Sequence, residues 1–305
     1  MTAGEIYSKT MPFVWAKLLL GLAMVAVSAV LLGILMGLAW LFKNEGVAVI
    51  LFLVWLGALG VLRFIIMRYV GYLFKAGHIA VITEAVTTGQ VPENQVAYGK
   101  KIVLERFATS NIYFAVDNLV SGAVKQIQRS IGKLGNTLDF IPGMKSLIGL
   151  VQYFVELSLG YIDECCLGYT FLKKEQGAFR SAADGVVVYA QNWETLLGNA
   201  AKTMVMVLVG LAAITLVLFL VLGLLFRVFD WPGWVAFVLA ILITLAIKFA
   251  FVDSFILTRT MVSYMSVAPT TVIYFDLYGK LSDLSPKFKE LWNKGEKETL
   301  TPQPN

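Results

Sequence analysis

Four long apolar runs that carry almost no charge dominate this chain of 305 residues. They cover residues 13–42, 47–66, 203–229 and 234–261. A helix needs about 20 apolar residues to cross the hydrocarbon core of a bilayer, and each run reaches that length. The first run is too long for the apolar part of a secretory signal, so we interpret it as an uncleaved anchor. The pattern predicts an all-α polytopic integral membrane bundle with four full transmembrane helices.

Short turn sequences join these runs in pairs. KNEG separates the first two runs, and DWPGW separates the last two. Proline and glycine break helices, and tryptophan favours the lipid–water interface, so each pair is predicted to form a transmembrane hairpin. This gives an N-terminal hairpin (1–88), a cytoplasmic, amphipathic region with a re-entrant apolar segment at about 141–172 (89–202), a C-terminal hairpin (203–262) and a cytoplasmic tail (263–305). We expect one structural unit, with a loose polar tail after Pro286.

Lysine and arginine gather before the first run, after the second run and in the tail. Basic residues beside spans mark the cytoplasmic side, so both termini are predicted to be cytoplasmic and the membrane to be the plasma membrane. This explains the net charge of +5 without nucleic acid as a partner.

The apolar stretch of residues 141–172 contains Glu156, Asp163 and Glu164. Both of its flanks are basic, so it should cross the membrane twice or not at all, as a re-entrant segment or a buried amphipathic helix. The alternative is a single crossing, which inverts the topology downstream. A carboxylate at membrane depth costs several kcal/mol unless it is protonated, paired or beside water. The three acids are therefore predicted to bind a solute or an ion.

Lys248 and Asp253 also lie among apolar residues, in the last run. On an α-helix they would be about 140° apart, so we expect them to pair with other helices and not with each other. They join the solute- or ion-binding candidates. The alternative is a structural role, or a long side chain that reaches the membrane interface.

Residues 116–134 have the pattern of a basic amphipathic helix. Lys125, Arg129 and Lys133 lie opposite a row of valine, isoleucine and leucine residues. Such a helix either lies in the headgroup layer, with the three cations touching lipid, or packs its apolar face on the bundle.

Ala29, Gly33 and Gly37 form a ridge of small residues on the first run. Small residues at this spacing let two helices approach closely. The ridge either packs on the second run or joins two copies of the chain.

The sequence does not indicate an enzyme, a metal site or a cofactor. His78 is the single histidine, and no GxSxG, HExxH, GxxxxGK[ST] or GxGxxG motif accompanies it. Cys165 and Cys166 are adjacent and lack the spacing of metal ligands.

Two segments carry a resemblance to a known family. RSAADGVVVYAQNWETLLGNAAKTMVMVLVGLAA begins at Arg180, and FVDSFILTRTMVSYM lies in the last run. Together they resemble the C-terminal portion of the choline transporter-like family over about a quarter of the chain. The resemblance implies a sodium-independent carrier of choline or a related amine, with Asp184, Asn199 and Asp253 as the positions that carry over.

Two functions remain open from the sequence. The first is a carrier or permease component for a small organic cation, such as a choline-like amine. The second is a non-transporting scaffold or accessory subunit that recruits a cytoplasmic protein partner or senses lipid. Membrane lipid is an expected partner in both cases, and a second copy of the chain is another.

Overall fold

The computed structural model describes residues 1–134, 161, 163–192, 196, 200–228, 233–274 and 276–300. These residues form helices joined by turns and short loops, which confirms the predicted all-α membrane fold. Four helices are long and apolar enough to cross a membrane, as predicted. They are Met11–Phe42, Glu45–Thr88, Val209–Arg227 and Gly233–Val267.

The helices are numbered here in chain order. They are α1 (Ala3–Lys9), α2 (Met11–Phe42), α3 (Glu45–Ile66), α4 (Tyr72–Thr88), α5 (Gln95–Phe107), α6 (Ser110–Leu134), α7 (163–172), α8 (Ala178–Gln191), α9 (Ala200–Arg227), α10 (Gly233–Ile247), α11 (Asp253–Val267), α12 (Asp276–Leu284) and α13 (Pro286–Leu300). A π-helical turn, Met67–Gly71, joins α3 to α4, and another, Lys248–Val252, joins α10 to α11.

The chain divides into two compact units that alternate along the sequence. One comprises Met11–Phe74 and Val207–Ser254, and the other comprises Met1–Thr10, Lys75–Met206 and Phe255–Asn305. Most of the exposed large apolar side chains that the structure describes belong to the first of these. An apolar surface is suited to lipid, whereas a mainly polar one is suited to water. We therefore name them the membrane unit and the polar unit.

In the membrane unit, α2 and α3 form the predicted hairpin. Asn44 begins α3, because its Oδ1 atom accepts hydrogen bonds from the backbone N–H groups of Gly46 at 2.8 Å and Val47 at 3.3 Å. Trp55 then donates from Nε1 to the backbone oxygen of Ser28 at 3.0 Å, which ties the two helices together.

Helix α2 packs on α10 at Gly21. A Cβ atom at this position would lie 3.1 Å from the Cβ of Ala246, so glycine allows the close approach. The predicted ridge lies elsewhere: Gly33 and Gly37 are exposed, and a Cβ at either would meet nothing within 4 Å. Packing of the ridge on the second run is therefore not observed.

The polar unit has a dense core. The apolar face of α6 is buried there, which is the second of its two predicted arrangements. Its buried residues are Val116, Val120, Val124 and Ile127. The prediction of a loose tail after Pro286 is wrong, since α13 buries Phe288 and Leu291 completely. The buried residues of α13 recur every three or four positions, which is the spacing of an amphipathic helix. The apolar face of α13 packs on the core of the polar unit.

Candidate functional site

Asp163 and Glu164 lie on helix α7 in the polar unit. Whether the apolar stretch of residues 141–172 enters the membrane stays a prediction. Glu156 and most of the predicted re-entrant segment lie outside the described residues. The role of these acids in solute or ion binding stays a prediction.

Lys75 of α4 gathers three carboxylates around it. Its Nζ atom lies 3.1 Å from Glu164 Oε1 and 3.6 Å from Asp117 Oδ1. Asp163 adjoins them, and its Oδ1 atom accepts the backbone N–H of Glu164 at 2.9 Å. We call Lys75, Asp117, Asp163 and Glu164 the acid cluster. Three acids share one ammonium group, so the cluster has more carboxyl groups than cationic groups.

Burial controls the chemistry of Asp163, whose exposed fraction is 7%. Removal from water disfavours the carboxylate form and raises the pKa of Asp163, and Asp117 adds to the rise. The Lys75 ammonium and a hydrogen bond with Ser121 act in the opposite direction. The result is an acid that takes up a proton more readily than an exposed aspartate.

Lys248 and Asp253 pair directly with each other, so the prediction that they could not was wrong. The Lys248 Nζ atom lies 2.6 Å from Asp253 Oδ1. The π-helical turn Lys248–Val252 is the reason, because residues five apart lie above one another where the backbone bonds run from i to i+5. Nearby in the membrane unit, Lys17 donates to Ser254 Oγ at 3.1 Å.

Four long stretches of the membrane unit contain no ionisable residue. Residues 18–42, 46–62, 209–226 and 233–247 contain no Asp, Glu, Lys, Arg or His. The hydroxyl groups in these stretches are those of Ser28, Thr215 and Thr244, and Thr215 donates to Thr244 at 3.2 Å. The charges of the membrane unit therefore lie towards the ends of its described helices.

Asp184, one of the positions implied by the resemblance, joins α8 to the C-terminal helices. Tyr278 donates its hydroxyl to Asp184 Oδ1 at 2.6 Å, and Arg180 Nε lies 3.4 Å from the same oxygen. The Arg180 guanidinium also stacks 4.0 Å from the ring centre of Trp292. Burial raises the pKa of Asp184, although Tyr278 and Arg180 favour its charged form. These contacts give Asp184 a structural role, because they connect α8 with α12 and α13. Asn199, another of the implied positions, lies outside the described residues.

The predicted lipid-contact residues lie on the outer face of α6. Lys125 and Arg129 are exposed, and the side chain of Lys133 is outside the described part. Because the apolar face of this helix fills the core, only its cations remain available to a membrane surface.

Sequence reasoning missed Lys75 and Asp117. Lys75 lies nine residues after the second apolar run, and Asp117 lies close to the polar edge of α6. A charged residue at the boundary between the polar and apolar faces of a helix only weakly indicates that it forms a buried ion pair. Within the described ranges, no group of three or more His, Cys, Asp and Glu is placed to hold a metal ion.

Comparison with models of known protein families, with curated proteins and with solved structures finds no match. The resemblance to the choline transporter-like family therefore stays a prediction.

Proposed function

We propose that the chain is a membrane scaffold or accessory subunit, in which the membrane unit anchors the polar unit. The observation that carries this proposal is the distribution of charge. Long stretches of the membrane unit, residues 18–42, 46–62, 209–226 and 233–247, are free of ionisable residues, whereas the polar unit holds the acid cluster and most of the buried polar contacts.

The packing of the described spans supports the same proposal. None of the residues in the apolar window of Val209–Arg227 is buried, and only 6% are buried in that of Glu45–Thr88. A carrier surrounds its substrate with polar groups near the middle of the bilayer. Helices with so little buried surface are better suited to contact lipid or other helices.

The scaffold should expose its polar unit to water while its spans stay in lipid. Cys165 and Cys166 are fully buried, so they provide a silent background for labelling with a maleimide. Lys125→Cys in the polar unit should react rapidly with a membrane-impermeant maleimide in proteoliposomes opened by detergent below its solubilising concentration. Gly37→Cys, on the exposed face of a span, should not react. Equal labelling of the two variants would contradict the proposal.

A scaffold should also carry no solute. Proteoliposomes containing the native chain should take up labelled choline and small amines no faster than protein-free liposomes. Uptake above that level, abolished by Asp163→Asn but not by Glu105→Gln on the exposed face of α5, would overturn the scaffold in favour of a carrier.

The carrier remains a second candidate because the acid cluster has more carboxylates than cations. Such a cluster attracts an organic cation. The variant Glu156→Gln belongs in the same uptake experiment, since Glu156 is the third acid of the apolar stretch 141–172.

The orientation of the chain is proposed from its basic flanks. Both termini are assigned to the cytoplasmic side of the plasma membrane, because lysine and arginine concentrate beside those ends of the spans. A tag at either terminus should be protected from protease in intact cells and cleaved after lysis.

A further inference from the structure

A cleft of about 300 Å³ opens on the surface of the polar unit. It lies between α4, α5 and the connection from α7 to α8. Its principal lining residues are Glu84, Tyr98, Ile102, Phe171, Lys174 and Glu175. This volume is at the lower end of small-molecule sites, which run from about 300 to 1,000 Å³. None of these residues belongs to the acid cluster.

The lining of the cleft carries both signs of charge. Tyr98 donates its hydroxyl to Glu84 Oε2 at 2.9 Å, and Lys174 Nζ lies 3.9 Å from the same oxygen. Glu175 adds a second carboxylate. Burial and the bond to Glu84 raise the pKa of Tyr98 to about 12, so its phenol stays a donor at neutral pH. The cleft therefore offers two acids and one exposed ammonium group.

The lining of the cleft also includes apolar side chains. Ile102, Phe171 and Leu172 are among them. A ligand that matches this lining carries charged groups and a small apolar group.

Arg106 fixes the connection that supplies Lys174 and Glu175. Its guanidinium donates to the backbone oxygens of Gln176 at 2.6 Å and Gly177 at 3.1 Å, and to Ser181 Oγ at 2.7 Å. Burial lowers the pKa of Arg106 to about 10, which still leaves it charged at neutral pH. Arg106 and two lining residues, Tyr98 and Ile102, are spaced four apart and share one face of α5. This face of α5 thus lines the cleft through Tyr98 and Ile102. Through Arg106 it also fixes the connection that carries Lys174 and Glu175.

We propose that this cleft binds a small zwitterion, namely a free amino acid with an apolar side chain. Glu84 and Glu175 take the ammonium group, Lys174 takes the carboxylate, and Ile102 and Phe171 hold the side chain. A ligand with only a positive charge would meet Lys174 at close range, and one with only a negative charge would meet two carboxylates. A ligand that carries both charges satisfies all three groups. The proposal does not depend on the scaffold function.

The test uses the full chain in lipid nanodiscs and calorimetric titration with matched probes. L-Leucine carries both charges, 3-methylbutylamine lacks its carboxylate, and 4-methylpentanoic acid lacks its ammonium group. Leucine, or one of L-valine and L-phenylalanine, should bind with a Kd below about 1 mM, and the two single-charge analogues at least ~10-fold more weakly. Binding of the amine as tight as that of leucine would overturn the proposal. So would the absence of binding by all three amino acids.

Two variants of exposed residues should weaken leucine binding without affecting the fold. Lys174→Met and Glu175→Gln should each raise the Kd about 10-fold, the usual size of a charge-assisted contact. Glu105→Gln, on the same helix as Tyr98 but outside the cleft, is the control and should leave the Kd unchanged. If Lys174→Met and the native protein bound leucine with equal affinity, Lys174 would not be the group that binds the ligand carboxylate.

Arg106 is a positioning residue, so its test separates binding from stability. Arg106→Lys keeps the positive charge but loses the fork that holds two carbonyl groups. Leucine affinity should fall in this variant, and Lys174→Met should then cause little further loss. Additive losses in the double variant would show that Arg106 acts on general stability and not through the Lys174 rim.

Discussion

The charge state of Asp163 affects the stability of the polar unit. Asp163 faces Lys75, Asp117, Glu164 and Ser121. Burial raises its folded pKa above the unfolded value, so the ionised form weakens folding near pH 7. This penalty disappears as the pH falls through the folded pKa. Asp163→Asn should therefore raise the melting temperature near pH 7, and the difference from native protein should shrink towards about pH 4.

The control for this pH series is Asp276→Asn. Asp276 is exposed and pairs with Lys280 on the surface of α12, so its removal should change the melting temperature little. A difference between Asp163→Asn and native protein that stays constant from neutral to acid pH would contradict the assigned cause.

Cys165 and Cys166 should be inert in the folded chain. Both are fully buried, and burial raises the pKa of each thiol. The thiolate is the reactive form, so maleimide should modify neither residue in the native protein and both after denaturation in dodecyl sulfate. Mass spectrometry of the intact chain counts the adducts. Rapid labelling of the native protein would mean that α7 is open to solvent.

A π-helical turn inside the span Gly233–Val267 explains why one residue pair was mispredicted. Uncharged apolar runs predict spanning helices reliably, because no other backbone structure satisfies its hydrogen bonds alone in lipid. Local periodicity, however, assumes about 100° per residue throughout. The π-helical turn Lys248–Val252 changes that angle and brings Lys248 to Asp253, and no residue type in KFAFV signals it.

This ion pair should stabilise the π-helical turn. Lys248→Met and Asp253→Asn should show a coupling of about 1 kcal/mol in a double-mutant cycle of thermal stability, because the pair is part-buried. The exposed pair of Lys101 and Glu105 on α5 is the comparison, with an expected coupling below about 0.5 kcal/mol. The charge swap of Lys248 and Asp253 should recover part of the stability. If the stability losses of the two single variants simply added in the double variant, the ion pair would contribute nothing to stability.

Gly185 makes possible the close packing of α7 on α8. A Cβ atom there would lie 2.8 Å from the backbone oxygen of Cys166 and 3.2 Å from its Cα. Backbone atoms cannot rotate away, so Gly185→Ala should destabilise the polar unit by about 1–3 kcal/mol. Gly279→Ala is the matched control: Gly279 is exposed within α12, and a Cβ would meet nothing within 4 Å. It should stabilise by about 0.5–1 kcal/mol.

At the scale of the whole molecule, the polar unit is assembled from three separate segments of the chain. Tyr278 donates to Asp184 across 94 positions, and Ser285 donates to Gln126 across 159. Contacts of this range depend on tertiary packing, so hydrophobic periodicity cannot reveal them. For the same reason the sequence predicted a loose tail where α12 and α13 complete the core of the polar unit. The ion pair of Lys75 and Glu164 was not predicted either.

The two units should therefore respond separately to a change in α13. Trp292 stacks on Arg180 and lies 4.0 Å from the Tyr278 ring, so Trp292→Ala removes part of the link between α13 and α8. The loss should be about 2 kcal/mol, less than for a fully buried tryptophan. Maleimide should then reach Cys165 and Cys166 faster, while the chain stays in the membrane after alkaline carbonate extraction. Asn293→Ala, at an exposed position of the same helix, should change neither property. If Trp292→Ala released the chain from the membrane, the spans would depend on the polar unit for their stability, and the anchor proposed for this protein could not act alone.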